Sequence, residues 1–213
     1  MLKYSYRMLP AFMLVAIIHT SCKTTAYSTF ISTEIATYKL EATDTLLDVG
    51  CGNGAHDRAI AHNYPNLYLV LEDLPVDWND YDLKNLIPRN LKNSRYTPGI
   101  EKKYRFVAGT IDSIPLPSSS YKTILCRLTL HEFAKRNKMV SELNRVLANG
   151  GTLIIVEREP KYDGEIDGYC KNRYLSKAEI VEIFRDLKLK EETRLSLKTE
   201  SMNILKFTKG KNL

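Results

Sequence analysis

Apolar residues in this chain fall into short blocks that alternate between two periods. Leu46, Leu47 and Val49 form a compact run, and residues 67–71, 104–108, 121–126 and 152–157 repeat the pattern. Runs of this length, bounded by turn residues, predict strands, and 67–71 suits one buried in a parallel sheet. Residues 55–62 suit a helix that ends at Tyr64-Pro65-Asn66. Ser176 with Glu179 three positions on reads as a capped helix start, and Ile180, Ile183, Phe184 and Leu187 then recur at helical spacing. Residues 192–197 and 202–207 alternate instead, which predicts two final strands. Strands and helices taken in turn predict an α/β sandwich around a parallel sheet. Gly150 and Gly151 predict a left-handed helix cap followed by a turn into the fifth strand. The stretch between Pro75 and Lys103 holds Trp78, Tyr81, Leu83, Leu86, Ile87, Leu91 and Tyr96, too many apolar residues for a bare loop. Helical turns that shape a substrate lid are expected there.

The chemistry gathers where the first strand stops. Asp48 is followed by Gly50, Gly52 and Gly54, so the strand runs into a loop with glycine at every second position. Such a loop bends sharply and lets a ligand approach the backbone, and the following helix offers its free N–H groups to the same place. The spacing is G-x-G-x-G, whereas a nicotinamide fingerprint is G-x-G-x-x-G. A fold of this kind also needs an acid at the tip of the next strand to hold ribose hydroxyls. Glu72 and Asp73 both stand there, Asp73 being 19 residues after Gly54.

Asp48-Val49-Gly50-Cys51-Gly52-Asn53-Gly54 resembles the first motif of class I S-adenosylmethionine-dependent methyltransferases, and the chain looks type 11-like within them. Asp73-Leu74-Pro75 is similar to the second motif. The resemblance implies a Rossmann-like three-layer sandwich with seven strands, mostly parallel, the last antiparallel. It implies S-adenosylmethionine as cofactor and methyl transfer to a small-molecule acceptor. By the same resemblance Asp48, Gly50, Gly52, Asn53 and Gly54 line the cofactor loop, and Asp73, with Glu72 as second choice, clamps the ribose. Ile111 covers the adenine ring, Asp112 accepts its exocyclic amine, and Arg127 joins the cofactor side. Lys122 replaces the acid that the family usually carries after an aromatic residue such as Tyr121. Leu130-His131 resembles the start of the substrate-facing helix, which makes His131, with Glu132 beside it, the candidate base for a hydroxyl or carboxyl acceptor. Because a sulfonium methyl is already activated, neither a nucleophile nor a metal is expected. Two other readings stay open: a cofactor-binding module without turnover, and a nicotinamide-dependent oxidoreductase, which the glycine spacing disfavours.

The net charge of +6 over 213 residues invites a nucleic-acid reading. No dense basic stripe with interleaved aromatics supports it, and Cys126-Arg127-Leu128-Thr129 lacks the Asn/Asp-Pro-Pro-aromatic motif expected of an enzyme acting on a base amine. The four cysteines form no disulfide framework or metal-ligand spacing, and of Cys51, Cys126 and Cys170 only the last reads as loop-borne. At the N-terminus, Lys3 and Arg7 precede an apolar stretch from Leu9 to Ile18, shorter than the roughly 20 residues of a spanning helix. Ser21-Cys22 at its end resembles a bacterial lipoprotein signal over residues 1–22, with the catalytic domain over 23–213. A membrane-anchored protein is therefore expected, with a cytoplasmic one as alternative. The anchored reading predicts that the full chain, produced in a bacterial host, is processed to begin at a lipidated Cys22 and that Cys22→Ser blocks this. Intact-mass spectrometry decides, and a product that keeps Met1 without lipid would refute it.

Overall fold

The computed structural model describes residues 29–41, 44–75, 103–187, 189–197 and 201–211. The lipoprotein-like segment with Cys22 and nearly all of the expected lid between Pro75 and Lys103 lie outside the described residues. In chain order the elements are helix α1 (29–38), strand β1 (Thr45–Val49), helix α2 (Ala55–Asn63), strands β2 (Tyr68–Asp73), β3 (Tyr104–Ala108) and β4 (Tyr121–Arg127), helix α3 (Arg136–Val146), strand β5 (Leu147–Arg158), helix α4 (Lys177–Arg185), and strands β6 (Leu189–Leu197) and β7 (Met202–Lys209).

All seven strands form one sheet in the order β3-β2-β1-β4-β5-β7-β6. β1 pairs parallel with β2 and β4, β2 with β3, and β4 with β5, whereas β7 runs antiparallel between β5 and β6. The expected α/β sheet with an antiparallel last strand is thus what the chain forms.

The continuous apolar runs have a simple cause. Alternate side chains of a strand point to opposite faces, and here both faces are covered. Leu47, Val49, Val70, Ile124, Cys126, Leu153 and Ile155 pack on one side with Met139, Val140, Leu143 and Val146 of α3 and with Ile180 and Phe184 of α4. Their neighbours Leu46, Leu69, Leu71, Leu125, Ile154 and Val156 pack on the other with Phe30, Ile31 and Ile35 of α1 and Ile60 and Ala61 of α2. Phe184 of α4 also stacks on Phe207 of β7, with ring centroids 4.8 Å apart.

One local expectation is corrected. Gly150 does not cap α3, because the helix ends at Val146 and its C-cap, Leu147, is already extended (φ −66°, ψ 126°). Tyr121 pairs with Leu147 but Thr123 pairs with Thr152, so the surplus residues bulge out of β5. Gly150 (φ +73°) turns within that bulge. Gly151 is needed there too, since a Cβ on it would lie 2.8 Å from the Ala148 carbonyl oxygen and 2.9 Å from that of Lys122.

Helix α4 begins as its sequence predicts. The Ser176 hydroxyl accepts the Glu179 N–H at 3.3 Å while the Glu179 carboxylate accepts the Ser176 N–H at 2.8 Å. Ser176→Ala removes half of this box and should cost about 1 kcal/mol. For a chain of this size the expected fall in Tm is roughly 2–4 °C, measured by thermal denaturation.

Candidate active site

The C-terminal ends of β1, β2, β4 and β5 converge on one side of the sheet, where a doubly wound fold leaves a crevice. β1 enters the crevice through Gly50 (φ +76°), and both Gly50 N–H and Cys51 N–H donate to the Glu72 carbonyl, at 2.8 and 3.1 Å. Thr129 fills the space beside Gly50: a Cβ there would lie 2.1 Å from the Thr129 Cγ2, and the Thr129 hydroxyl donates to the Gly50 carbonyl at 3.0 Å. Thr129 reaches that position because Leu128 is left-handed (φ +54°), a conformation that costs a bulky residue roughly 1–2 kcal/mol. Gly52 (φ +56°) faces open space, and its N–H donates to Asp73 Oδ2 at 2.7 Å. The second carboxylate oxygen of Asp73 accepts the Leu74 N–H at 2.7 Å, so the side chain is fixed against the loop. Asn53 Oδ1 accepts the Ala55 N–H at 3.0 Å, and Gly54 (φ +65°) starts α2.

A cavity of about 130 Å³ lies against these groups, lined by Gly50, Glu72, Asp73, Ile111 and Thr129 among others. Leu74 and Ile111 stand at its edge 42% and 46% exposed, apolar surface that a flat ring would cover. Asp112 sits beyond Ile111 with its carboxylate held by Lys135 at 2.7 Å and by the Thr110 hydroxyl at 3.0 Å, contacts that depress its pKa. Asp48 is not on this surface. It is buried beneath the loop beside Asp57, and burial raises both carboxyls, Asp57 to about 6 and Asp48 well above the usual carboxylate range. At neutral pH the pair therefore retains a proton.

Arg127 is tied to the first helix. Its guanidinium grips Glu34 of α1 through two bonds, Nε to Oε1 at 2.7 Å and Nη2 to Oε2 at 3.0 Å. Burial alone would raise the Glu34 pKa, but this grip outweighs it and the net shift is downward. The Tyr38 hydroxyl also donates to Glu34, and His56 stands 3.6 Å away, its pKa lowered to about 4 by burial and the Arg127 charge, hence neutral near pH 7.

Arg127 lines a second and larger cavity of about 550 Å³, with Phe30, His131, Arg158, Lys161 and Tyr174. Glu132 belongs to the walls of both cavities. His131 is 2% exposed at its side chain, and its Nδ1 lies 2.8 Å from Glu157 Oε2 at the end of β5. The other carboxylate oxygen of Glu157 accepts the His131 backbone N–H at 3.2 Å. In the neutral ring Nδ1 is therefore the protonated nitrogen, and the lone pair is on Nε2, which is buried without a hydrogen-bond partner. An unsatisfied buried acceptor typically costs about 1–3 kcal/mol. Burial would lower the His131 pKa, but the Glu157 bond and charge and the nearby Glu132 overcome it, and the net shift is upward. Thr129, Glu157, Asp167, Cys170 and Tyr174 were not among the residues the sequence singled out for the site. Of these, Cys170 reads in the sequence only as a loop-borne cysteine and Glu157 only as the last residue of an apolar run.

A family model described as a methyltransferase domain matches residues 47–155. The chain is 35% identical over 74 residues to an uncharacterized methyltransferase, YcgJ, of Bacillus subtilis, which is 35% of this chain and 29% of that protein. It is 26% identical over 120 residues to a demethylmenaquinone methyltransferase of Deinococcus radiodurans, 56% of this chain and 45% of the other. The chain thus spans less than half the length of these curated relatives. Among solved structures, a SAM-dependent methyltransferase from Aquifex aeolicus is similar with TM-score 0.66 at 18% identity, over 84% of this chain and 88% of that one. The [4+2]-cyclase SpnF is similar with TM-score 0.71 at 15% identity, over 88% and 83%. These two likenesses concern the fold, which serves proteins named for different chemistry.

The crevice has a pH signature. Glu72 is buried, with Oε1 only 1.6 Å from where a Cβ on Gly109 would stand, and burial together with the neighbouring Asp73 raises its pKa to about 8. The folded chain then holds this proton more tightly than the unfolded chain, where the value is about 4.5. The stability Glu72 contributes is complete below about 4.5 and is lost as pH rises through about 8. Glu72→Gln should be more stable than the wild type at pH 9 and nearly equal to it at pH 4.5. Urea unfolding at both pH values measures the difference, and an unchanged difference would refute the shift.

Proposed function

The chain belongs to the methyltransferase-domain family, and from that membership we propose that it transfers the methyl group of S-adenosylmethionine to a small-molecule acceptor in the cavity beside His131. The observation that carries this reading is the carboxylate of Asp73 fixed on the Gly52 amide at 2.7 Å, at the rim of a cavity with exposed Ile111 and Leu74. Each oxygen of Asp73 accepts one backbone N–H and keeps a further lone pair for a ribose hydroxyl. Gly52 leaves open ground beside the loop for the ligand's backbone approach. The residues present therefore fit an adenosyl ligand, with Gly50, Gly52 and Asn53 along its amino-acid part, Asp73 on the ribose, and Ile111 over the base. Asp48 supports the loop from below, and Glu72 backs Asp73.

When bound, the sulfonium supplies an electrophilic methyl group. The chain's own task is to orient the partners in line at about 3–3.5 Å and to exclude water. Glu132, in the wall of both cavities, and Thr129, in that of the smaller one, stand beside that approach. In the larger cavity Phe30, Tyr174 and Met202 offer apolar cover while Arg158 and Lys161 offer positive charge, which suits a small acceptor carrying an anionic group. His131 takes the proton of a hydroxyl or carboxyl acceptor whenever Nε2 is not otherwise engaged. The pattern ending at Cys22 supports a lipid-anchored form of the same protein.

Calorimetry with S-adenosylmethionine tests the donor side. The wild type should bind it, and Asp73→Ala should bind roughly ten- to a hundredfold more weakly with unchanged circular dichroism, as expected for lost charge-assisted bonds of about 1.5–3 kcal/mol. Absence of binding by the full-length wild type would overturn the proposal, whereas an intact Asp73→Ala with loss in Glu72→Ala would move the clamp to Glu72.

A further inference from the structure

We infer that His131, Asp167 and Cys170 form a zinc-type metal site whose open position faces the larger cavity. Their ligand atoms, the His131 ring nitrogen, an Asp167 carboxylate oxygen and the Cys170 sulfur, all lie within 4.8 Å of one another. Tetrahedral zinc with bonds of about 2.0–2.3 Å brings its ligand atoms to roughly 3.3–3.8 Å from each other. The loop carrying Asp167 and Cys170 has only about an ångström to close.

A second observation points to a ligand independently of this clustering. The His131 side chain is 98% buried, yet Nε2 has no hydrogen-bond partner. Its lone pair is directed by the Glu157 carboxylate on Nδ1, 2.8 Å away. A buried carboxylate behind an imidazole is the arrangement that fixes the tautomer and raises the basicity of metal-bound histidines. Asp167 is likewise pre-set, since Oδ1 accepts the N–H groups of Tyr169 and Cys170 at 2.6 and 2.9 Å, and Oδ2 accepts the Tyr174 hydroxyl. These bonds tie the hairpin-like loop around the Ile166–Arg173 bridge, so Cys170 is delivered beside His131 by local structure.

The donor set selects the ion. Thiolate, imidazole and carboxylate together suit zinc or its spectroscopic substitute cobalt, whereas magnesium and calcium prefer oxygen alone. Three protein ligands leave the fourth position open, as in catalytic rather than structural sites. Glu132, with Oε1 3.9 Å from Nε2, borders that position, and so does the cavity that His131, Glu132 and Asp167 line. Binding converts the Cys170 thiol to thiolate and releases its proton to solvent. An acceptor with a hydroxyl or thiol group coordinates in the open position and loses its own proton to solvent. Its lone pair then forms the bond to the methyl carbon, while the carbon–sulfur bond of the donor breaks towards sulfur. With the cation in place, His131 is a ligand and no longer takes the proton itself. Only this use of the site rests on the proposed methyl transfer, and the site itself does not.

The test is titration of the metal-free full chain with Co²⁺ alone, followed by absorption. One equivalent should bind with a tetrahedral d–d spectrum and a thiolate-to-cobalt charge-transfer band, and Zn²⁺ should abolish both. Cys170→Ser should lose the charge-transfer band and Asp167→Asn should bind at least tenfold more weakly. Cys22→Ser should keep the band, which excludes the N-terminal thiol. Glu157→Gln should weaken binding about 10- to 100-fold without removing the band. Circular dichroism melts establish that each variant is folded, and Asp167→Asn decides alone if Cys170→Ser is not. A full chain that binds less than a tenth of an equivalent, or whose band and affinity survive both Cys170→Ser and Asp167→Asn, would overturn the site. Because S-adenosylmethionine is absent throughout, the outcome is independent of whether the donor clamp is correct.

Discussion

At the end of β1 a single carbonyl, that of Glu72, receives the N–H groups of Gly50 and Cys51, and Thr129 closes the same point from β4. Three strands are thereby stitched together where the chain leaves the sheet. The left-handed turn at Gly50 is obligatory, because the Thr129 methyl occupies the volume a side chain would need. From this point the placement of the rest follows: Gly52 is carried onto the Asp73 carboxylate, α2 is aimed out of the loop, and Leu128 must turn left-handed for Thr129 to return.

The same crevice concentrates acidic groups in low dielectric. Asp48, Asp57, Glu72 and Glu157 are all buried, while Arg127 is engaged by Glu34. Burial is paid for by retained protons on Glu72 and the Asp48–Asp57 pair. A carboxyl that stays neutral does not repel its neighbour, which lets these acids lie together beneath the glycine loop.

The strands and helices were legible because both faces of the sheet are covered, which writes each central strand as an unbroken apolar run. Ser176 and Glu179 announced α4 since their box is purely local, and the glycine loop with Asp73 is compact enough in sequence to be read as one unit. Gly150 misled because glycine after a helix usually caps it, whereas here its left-handed φ serves a bulge in β5 that only the pairing with Tyr121 and Thr123 reveals. The Arg127–Glu34 pair was illegible for a related reason: the two residues are 93 apart, Glu34 lying on a helix packed over the sheet. His131, Glu157, Asp167 and Cys170 come from the ends of parallel neighbours and the loop that follows them. Strand adjacency of that kind has no local period, so nothing in the spacing of these residues foretold their meeting.

Glu132 is wall to both cavities, and this makes their occupancy one thermodynamic system. Burial holds its carboxyl above the usual carboxylate range, and the neighbouring His131 opposes that shift without cancelling it. On the proposed reading, a cationic donor in the smaller cavity would favour the ionised form, and that form would change the field felt by whatever occupies the larger one. Linkage is reciprocal, so an occupant of the larger cavity must alter donor affinity by the same factor.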